Sequence, residues 1–453
     1  MIALTRLPAL SENRRLRLWA FFLFYISQGI PIGLMITAIP AWLAANGAST
    51  AEVGTLIAIV FLPWSLKLVS GLLMDRFCYR PMGRMRAWII GSQTIMLIIF
   101  LAAAALAPGA SDIMLLAGLG FALNFCAAFN DVAIDGMAVD LVPEEEREQT
   151  NAFMCGGQMI GISATAALAS FILVYGGVAL AMVSCALLIL ILTVVVTLLR
   201  ERPGERLLPW TAGDASPENL SRGAEAWLPI IRQVLAGLFR WRTALFLLGA
   251  GAIVSSAGLA DVFGPSFSVA ELGWSSEYYS SFYSITGFVM VMAVMLLMGP
   301  LVSRNGARNM FIAFTGMMLL TNLAAHFALP NDFGTLAMQA YLTIFWGAFG
   351  GTAALFFAWM MNLTNPAVAA GQYALFMAIP NLVRSFSAGT HGQIIDNYGY
   401  DTSFLVATIS IAAGIAICLL AGFGRVESLT DRDGKGAVQP ADESATLPQG
   451  MIA

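Results

Sequence analysis

Residues 129–140 read FNDVAIDGMAVD and close an apolar run that opens near Ile113. Asp131 and Asp135 stand four residues apart, so a helix carries both carboxylates on one face, with Asp140 at its end. Carboxylates inside an oily helix cost on the order of several kcal/mol unless they meet partners or water. The surrounding chain defines that environment. Its 453 residues are 58% hydrophobic and only 11% charged, against about 25% charged in soluble domains. Mean hydropathy is +0.78, and the apolar residues fall in runs of roughly twenty, the length that crosses a bilayer as a helix. A β-barrel would show short alternating segments instead. The composition therefore predicts an all-α polytopic membrane protein.

The apolar runs fall at 18–42, 51–74, 88–107, 112–139, 151–175 and 178–199, then at 242–268, 277–300, 307–328, 334–361, 367–393 and 402–423. This predicts twelve transmembrane helices in two six-helix halves, 1–199 and 242–423. The connector 200–241 contains Pro203, Gly204, Pro209, Gly213, Pro217 and Gly223, which predict a flexible loop. It ends in WLPIIRQVLAGLFRW (227–241), an expected amphipathic surface helix. The tail 424–453 has a disorder-prone, acidic composition.

Arginines cluster before the first run, between runs 2 and 3 (Arg76, Arg80, Arg84, Arg86), at Arg147, through the connector, and at Arg304 and Arg308. The alternate loops hold Glu52, Asp112, Glu271, Glu277, Asp332, Asp396 and Asp401, with no Lys or Arg. The positive-inside rule then places both termini and the connector in the cytoplasm. No basic patch is interleaved with aromatics, so nucleic-acid binding has no support. No G-x-x-x-x-G-K-[ST] element is present, so ATP does not drive this chain by itself. Five cysteines without a C-x-x-C pair read as small buried residues rather than disulfides or metal ligands. His326 and His391 read as surface or packing residues near outer helix ends. No cofactor is implied.

The two halves repeat. GLLMDR (71–76) returns as GPLVSRNGAR (299–308), 228 residues on. DLVPEEEREQTNAF, from Asp140, is echoed by NLTNPAVAAGQYALF, from Asn362, at an offset of about 222. Two similarly oriented six-helix halves are the plan of a rocking transporter.

On that plan Gly71, Asp75 and Arg76 are candidates for a cytoplasmic gate, with Gly71 admitting a close neighbouring helix. Gly299, Arg304 and Arg308 form the copy, weaker because Ser303 replaces the acid. Asp140 and Arg147 cap or gate the end of the fourth run. Lys67 lies eight residues before Asp75, and Asp131 nine before Asp140, so opposite charges share one depth. They are expected to pair, or to share a polar cluster, in an N-half cavity, with Asp135 placed to exchange a proton; a purely structural ion pair is the alternative. Asp261 and Arg384 both fall in the outer half and suit a second pair that closes that side or meets substrate. Gln28, Asn130, Gln158 and Asn381, with Asn124 and Gln372, are candidates for cavity lining. Pro31, Pro40, Pro63 and Pro380 predict kinks.

The GLLMDR motif and its echo resemble the loop motif of the major facilitator superfamily. SQGIP (27–31), LPWSLK (62–67), FNDVAID (129–135) and LVPEEER (141–147) resemble one branch, that of AmpG-like muropeptide permeases and acetyl-CoA transporters. That branch is similar in turn to inner-membrane siderophore permeases. The resemblance covers most of the N half and reaches the C half through topology. It implies the major facilitator fold, a central cavity and alternating access, commonly proton-driven. Lys67, Asp131 and Asp135 match the branch's charged positions. The sequence departs from it at Leu68–Gly71, where the branch carries an aromatic and Trp-Ala-Pro, and at Asn130, where it carries Gln.

The expected protein is a secondary active transporter of a small organic solute in a bacterial inner membrane, acting as a monomer and surrounded by lipid. Proton-coupled import of a siderophore- or muropeptide-like compound leads. Efflux with the same fold, and a receptor or scaffold that transports nothing, are the competing readings. No catalytic set suggests an enzyme.

Overall fold

No water is available in a hydrocarbon layer to satisfy peptide groups, so each apolar run has to bond its own backbone, and a helix does so within one segment. The computed structural model describes residues 9–221, 232, 235–364 and 369–424. The helices are α1 (Arg14–Ala45), α2 (Thr50–Phe61), α3 (Lys67–Arg76), α4 (Arg86–Leu106), α5 (Ile113–Leu141), α6 (Arg147–Leu198), α7 (Trp241–Ser266), α8 (Ser276–Asn305), α9 (Ala307–Asp332), α10 (Thr335–Leu363) and α11 (Ala369–Leu420). Among the described residues the only β pairing is two isolated bridges. Among the described residues eight helices are long and apolar enough to cross a membrane, or nine if bent α8 is one span.

Helices α6 and α11 have 52 residues each, about 78 Å against a hydrocarbon core of about 30 Å. Each is broken by a glycine in the left-handed region, Gly177 (φ 75°) and Gly399 (φ 86°), 222 residues apart. These breaks fall where the apolar runs 151–175 and 178–199, and 367–393 and 402–423, are separated. The repeat extends to α1 and α7, which each loosen into a π-helical turn after a proline: Gly33–Ala38 after Pro31, and Phe267–Glu271 after Pro265. Pro63 ends α2 in a 3-10 turn, Leu62–Leu66, before α3 begins.

Within the N half, α1 lies directly on α6 through two G-x-x-x-G pairs, Gly29/Gly33 and Gly157/Gly161. A Cβ at Gly157 would sit 2.2 Å from the Phe22 carbonyl oxygen, and one at Gly33 2.3 Å from that of Ile162. Gly157→Val is expected to cost ~3 kcal/mol, the upper end of overpacking penalties. The readout is loss of monodisperse protein on size exclusion; Gly91→Val, whose Cβ would meet nothing within 4 Å, should leave the profile unchanged.

Among the described residues the halves meet tightly at the end away from Asp140. Cβ atoms at Gly54 of α2 and Gly392 of α11 would each come 2.6 Å from a carbonyl oxygen of the other helix, Ala388 and Thr50. Ser385 Oγ donates to the Ala58 carbonyl (2.5 Å), Ala51 N–H to Asp396 (3.0 Å), and Ser170 Oγ to Ser280 Oγ (2.6 Å). Towards the Asp140 end the glycines expected at close contacts are not crowded. A Cβ at Gly71 would meet only Val132 Cγ1 at 3.8 Å, and one at Gly299 nothing within 4 Å. Gly71 therefore does not mark a close helix approach here, contrary to the sequence expectation: its one near neighbour is a side-chain tip of α5, in its own half.

The connector also departs from expectation: its first part is bound to the N half. Glu201, fully buried, accepts N–H groups of Arg84, Met85 and Arg86 at 2.8, 2.9 and 2.7 Å and so caps α4. The Arg86 guanidinium donates back to the carbonyls of Met82, Val196, Thr197, Arg206 and Leu207. Leu10 and Ser11 N–H groups bond the Arg200 and Glu201 carbonyls, and Arg17 pairs with Glu146 at 2.6 Å. The glycines make turns rather than slack; Gly204 has φ 83° and Gly213 φ 140°. The expected amphipathic helix, 227–241, is described at 232 and from 235 on, with 235–238 helical, and the tail beyond Gly424 lies outside the described residues.

Burial and the neighbouring Glu201 push the Glu205 carboxyl up from 4.5 to about 7. The folded chain thus holds a proton that the unfolded chain releases between these values. Its contribution to stability is full below pH 4.5 and lost as pH rises through 7. Thermal unfolding of the wild type should shift down across that window, and Glu205→Gln should flatten the profile.

Candidate functional site

The 3-10 turn at Pro63 is what carries Lys67 across to α5. Its ammonium forms an ion pair with Asp131 Oδ2, the two side chains being 17% and 5% exposed. The same ammonium lies 4.8 Å from the Trp64 ring centroid. Trp64 is held in turn by Nε1 donating to Asn124 (3.1 Å), whose amide bonds the Gly120 carbonyl (3.0 Å). One turn along α5, Asp135 accepts a hydrogen bond from the Tyr25 hydroxyl of α1. Asp131 is buried in its pair, whereas Asp135 is exposed. Two carboxylates and one ammonium leave one negative charge when all three are ionised, and a single proton balances it.

The polar residues expected around them have different places. Asn130 is fully buried, bonding Ser27 (2.8 Å), Ser92 (3.4 Å) and Gln93 (3.5 Å) where α1, α4 and α5 pack. Gln28 is also fully buried and accepts from Gln158 at 3.0 Å. Both bond across helix contacts, as buried amides require, although Gln28 Nε2 has no partner. Gln158 is half-buried.

In the C half, Arg384 meets Asp261 in a bidentate pair, Nε to Oδ2 at 2.7 Å and Nη2 to Oδ1 at 2.8 Å. The guanidinium carbon lies 4.5 Å from the Phe61 ring centroid, 5.3 Å from Trp346 and 5.6 Å from Phe349. Phe61 belongs to α2, so a ring of the N half covers a cation of the C half, beside the Ser385–Ala58 contact that closes this end. Asn381 is half-buried one turn before Arg384. The aromatic cage had no signal in the sequence, where Phe61, Trp346 and Phe349 look like any apolar residue of a span.

The expected gate residues have separate places. Asp140 pairs at 2.9 Å with Arg202 of the connector. Arg76, Arg147 and Arg304 are exposed, Gly299 faces open space, and Arg308 packs its backbone against Gly424. The Asp75 side chain lies outside what the structure describes. His326 Nδ1 bonds the Asp401 carbonyl (2.9 Å) and buried His391 bonds Ser403 (2.7 Å), both as packing contacts.

The helical fold agrees with known proteins. The family model of the Major Facilitator Superfamily matches residues 18–388. The chain belongs to the major facilitator superfamily. The anhydromuropeptide permease of Escherichia coli (strain K12) is 24% identical over 411 residues, covering 87% of this chain and 77% of the permease. The nucleoside transporter NupG superposes with a TM-score of 0.65 at 14% identity, over 89% of this chain and 98% of that one. The peptide transporter POT, solved in complex with alafosfalin, gives 0.67 at 12% identity, over 90% and 95%. Each of these likenesses is to a transporter, and the chain is a multi-pass membrane protein of that superfamily.

Proposed function

We infer that this major facilitator protein is a proton-driven importer of a muropeptide-like solute, working as a monomer with twelve transmembrane helices and both termini in the cytoplasm of a bacterium. The observation that carries the reading is the Lys67–Asp131–Asp135–Tyr25 cluster at the open end of a bundle sealed at its other end. With the basic loops inside, the sealed end faces outward and the conformation is inward-facing.

A proton delivered to Asp131 would cancel its hold on Lys67 and free the ammonium for an acidic group of the solute. Proton and anionic solute then bind better together than apart, which is the linkage that symport needs. Asp135, exposed and bonded to Tyr25, stands between this pair and the open side and would pass the proton to the cytoplasm. Arg384, already shielded by Asp261 and three rings, would serve the outer closure, its cage dismantled each time α2 leaves α11.

A muropeptide suits these charges, since it carries carboxylates and amphiphilic bulk, and the Escherichia coli relative is named for that class. Proteoliposome uptake of anhydromuropeptide, a siderophore and a drug panel, with and without an imposed pH gradient, tests the reading. Gradient-driven accumulation of anhydromuropeptide alone is expected. Uptake indifferent to the gradient removes proton coupling, and accumulation of a siderophore instead replaces the substrate.

A further inference from the structure

A groove of about 510 Å³ runs along the outside of the C half between α7 and both rods of α11. Leu238, Phe239, Leu248, Ala252, Ile379 and Val383 line it. From Ala244 to Ser255 its wall is about 16 Å of helix at about 1.5 Å per residue, the depth of one leaflet of a hydrocarbon core about 30 Å thick. Its inner end is closed by Ser255 and Ser410, whose hydroxyls bond each other (2.9 Å) and the Ala252 carbonyl (2.7 and 2.8 Å). These polar atoms are already partnered, so the groove offers carbon to whatever fills it.

Its mouth is of a different character. Phe239 and Trp241 are 80% and 74% exposed there, the aromatic pair typical of a membrane–water boundary. Arg240 is exposed and follows the lining residue Phe239 in the chain. A chain-length apolar slot with an exposed arginine next in the chain to its lining matches a molecule with one long hydrocarbon tail and an anionic head. We propose that this groove holds one acyl chain of an anionic phospholipid of the surrounding bilayer, with the phosphate on Arg240. Neutral lipid lacks the head charge, and a polar solute would leave its hydrogen-bonding groups unmet against the groove floor. Assignment to the cytoplasmic leaflet rests on the orientation inferred above; the groove and its head-group cation do not.

Native mass spectrometry of the purified full chain with phosphatidylglycerol or phosphatidylcholine of identical tails tests the site without any transport step. The wild type should retain one phosphatidylglycerol that phosphatidylcholine does not replace. Arg240→Gln should weaken its retention about fivefold, the usual effect of one basic residue at an anionic leaflet. Ala252→Phe should abolish it by filling the slot. Leu248→Trp fills from the rim and serves if the first does not fold, while Arg15→Gln, an exposed arginine elsewhere, should change nothing. Equal retention of phosphatidylcholine, retention unchanged in the filling variants, loss only with Arg240→Gln, or equal loss with Arg15→Gln overturns the proposal.

Discussion

Asp131→Asn is expected to abolish accumulation driven by a pH gradient while solute exchange at equilibrium persists. Asparagine keeps the size of the side chain and its hydrogen-bonding oxygen but neither binds nor releases a proton. Lys67, paired with Asp131 in the wild type, loses its counter-charge and is left permanently available to an anionic solute. Counterflow in proteoliposomes with no gradient should therefore survive, with solute affinity equal to or tighter than wild type, and the imposed gradient should add nothing. Asp135→Asn should show the same loss of drive but a weaker effect on affinity, since Asp135 touches Tyr25 rather than the ammonium. Loss of both exchange and drive in well-folded Asp131→Asn protein would show that the pair is structural. Lys67→Ala with Asp131→Ala removes both charges together; if the pair only holds α3 to α5, this double variant should transport normally.

Removing one partner of the outer pair should act on stability first. Arg384→Ala leaves the Asp261 carboxylate, 2% exposed, with neither of its two hydrogen bonds. Breaking a buried pair from one side costs about 3–5 kcal/mol, whereas removing both charges is often nearly neutral. Thermal unfolding in detergent should fall steeply for Arg384→Ala and for Asp261→Ala, and recover in Arg384→Met with Asp261→Leu. The rings around Arg384 add a second expectation. Phe61→Ala should lower stability less than either charge change and should bias the protein away from the closed outer end, because Phe61 is the N-half member of the cage. Accessibility of a cysteine placed at Ala388, measured with a membrane-impermeant reagent, reads that bias; no change in labelling would confine Phe61 to packing.

Much of this protein was legible in its residues because the bilayer is an exacting solvent. An ionisable side chain has few tolerable places among hydrocarbon, so counting residues along two helices was enough to match Lys67 with Asp131 and Asp261 with Arg384 in depth. Neutral amides gave no such constraint. Asn130 and Gln28 could find partners either at a cavity or between helices, and only the packing of α1 against α4, α5 and α6 shows which partners they have. Gly71 and Gly299 look like close-contact glycines in sequence, yet the crowded ones include Gly33, Gly54, Gly157 and Gly392. A glycine records what it permits, and the conformation decides whether a neighbour is there.

By itself, then, the sequence determined the all-helical membrane class, the repeat, and the depth of each buried charge, since hydropathy and charge act locally along each helix. The tertiary structure alone decided which end of the bundle is sealed, which rings cage Arg384, and that the glycine- and proline-bearing connector is fastened by Glu201 and Arg86. Those depend on which helices meet across the two halves, and no periodicity within one segment carries that information. The stretch 129–140 shows the division. Its three acids were visible at once, but Asp131 goes to a lysine, Asp135 to a tyrosine and Asp140 to a connector arginine only because three other segments fold against one helix.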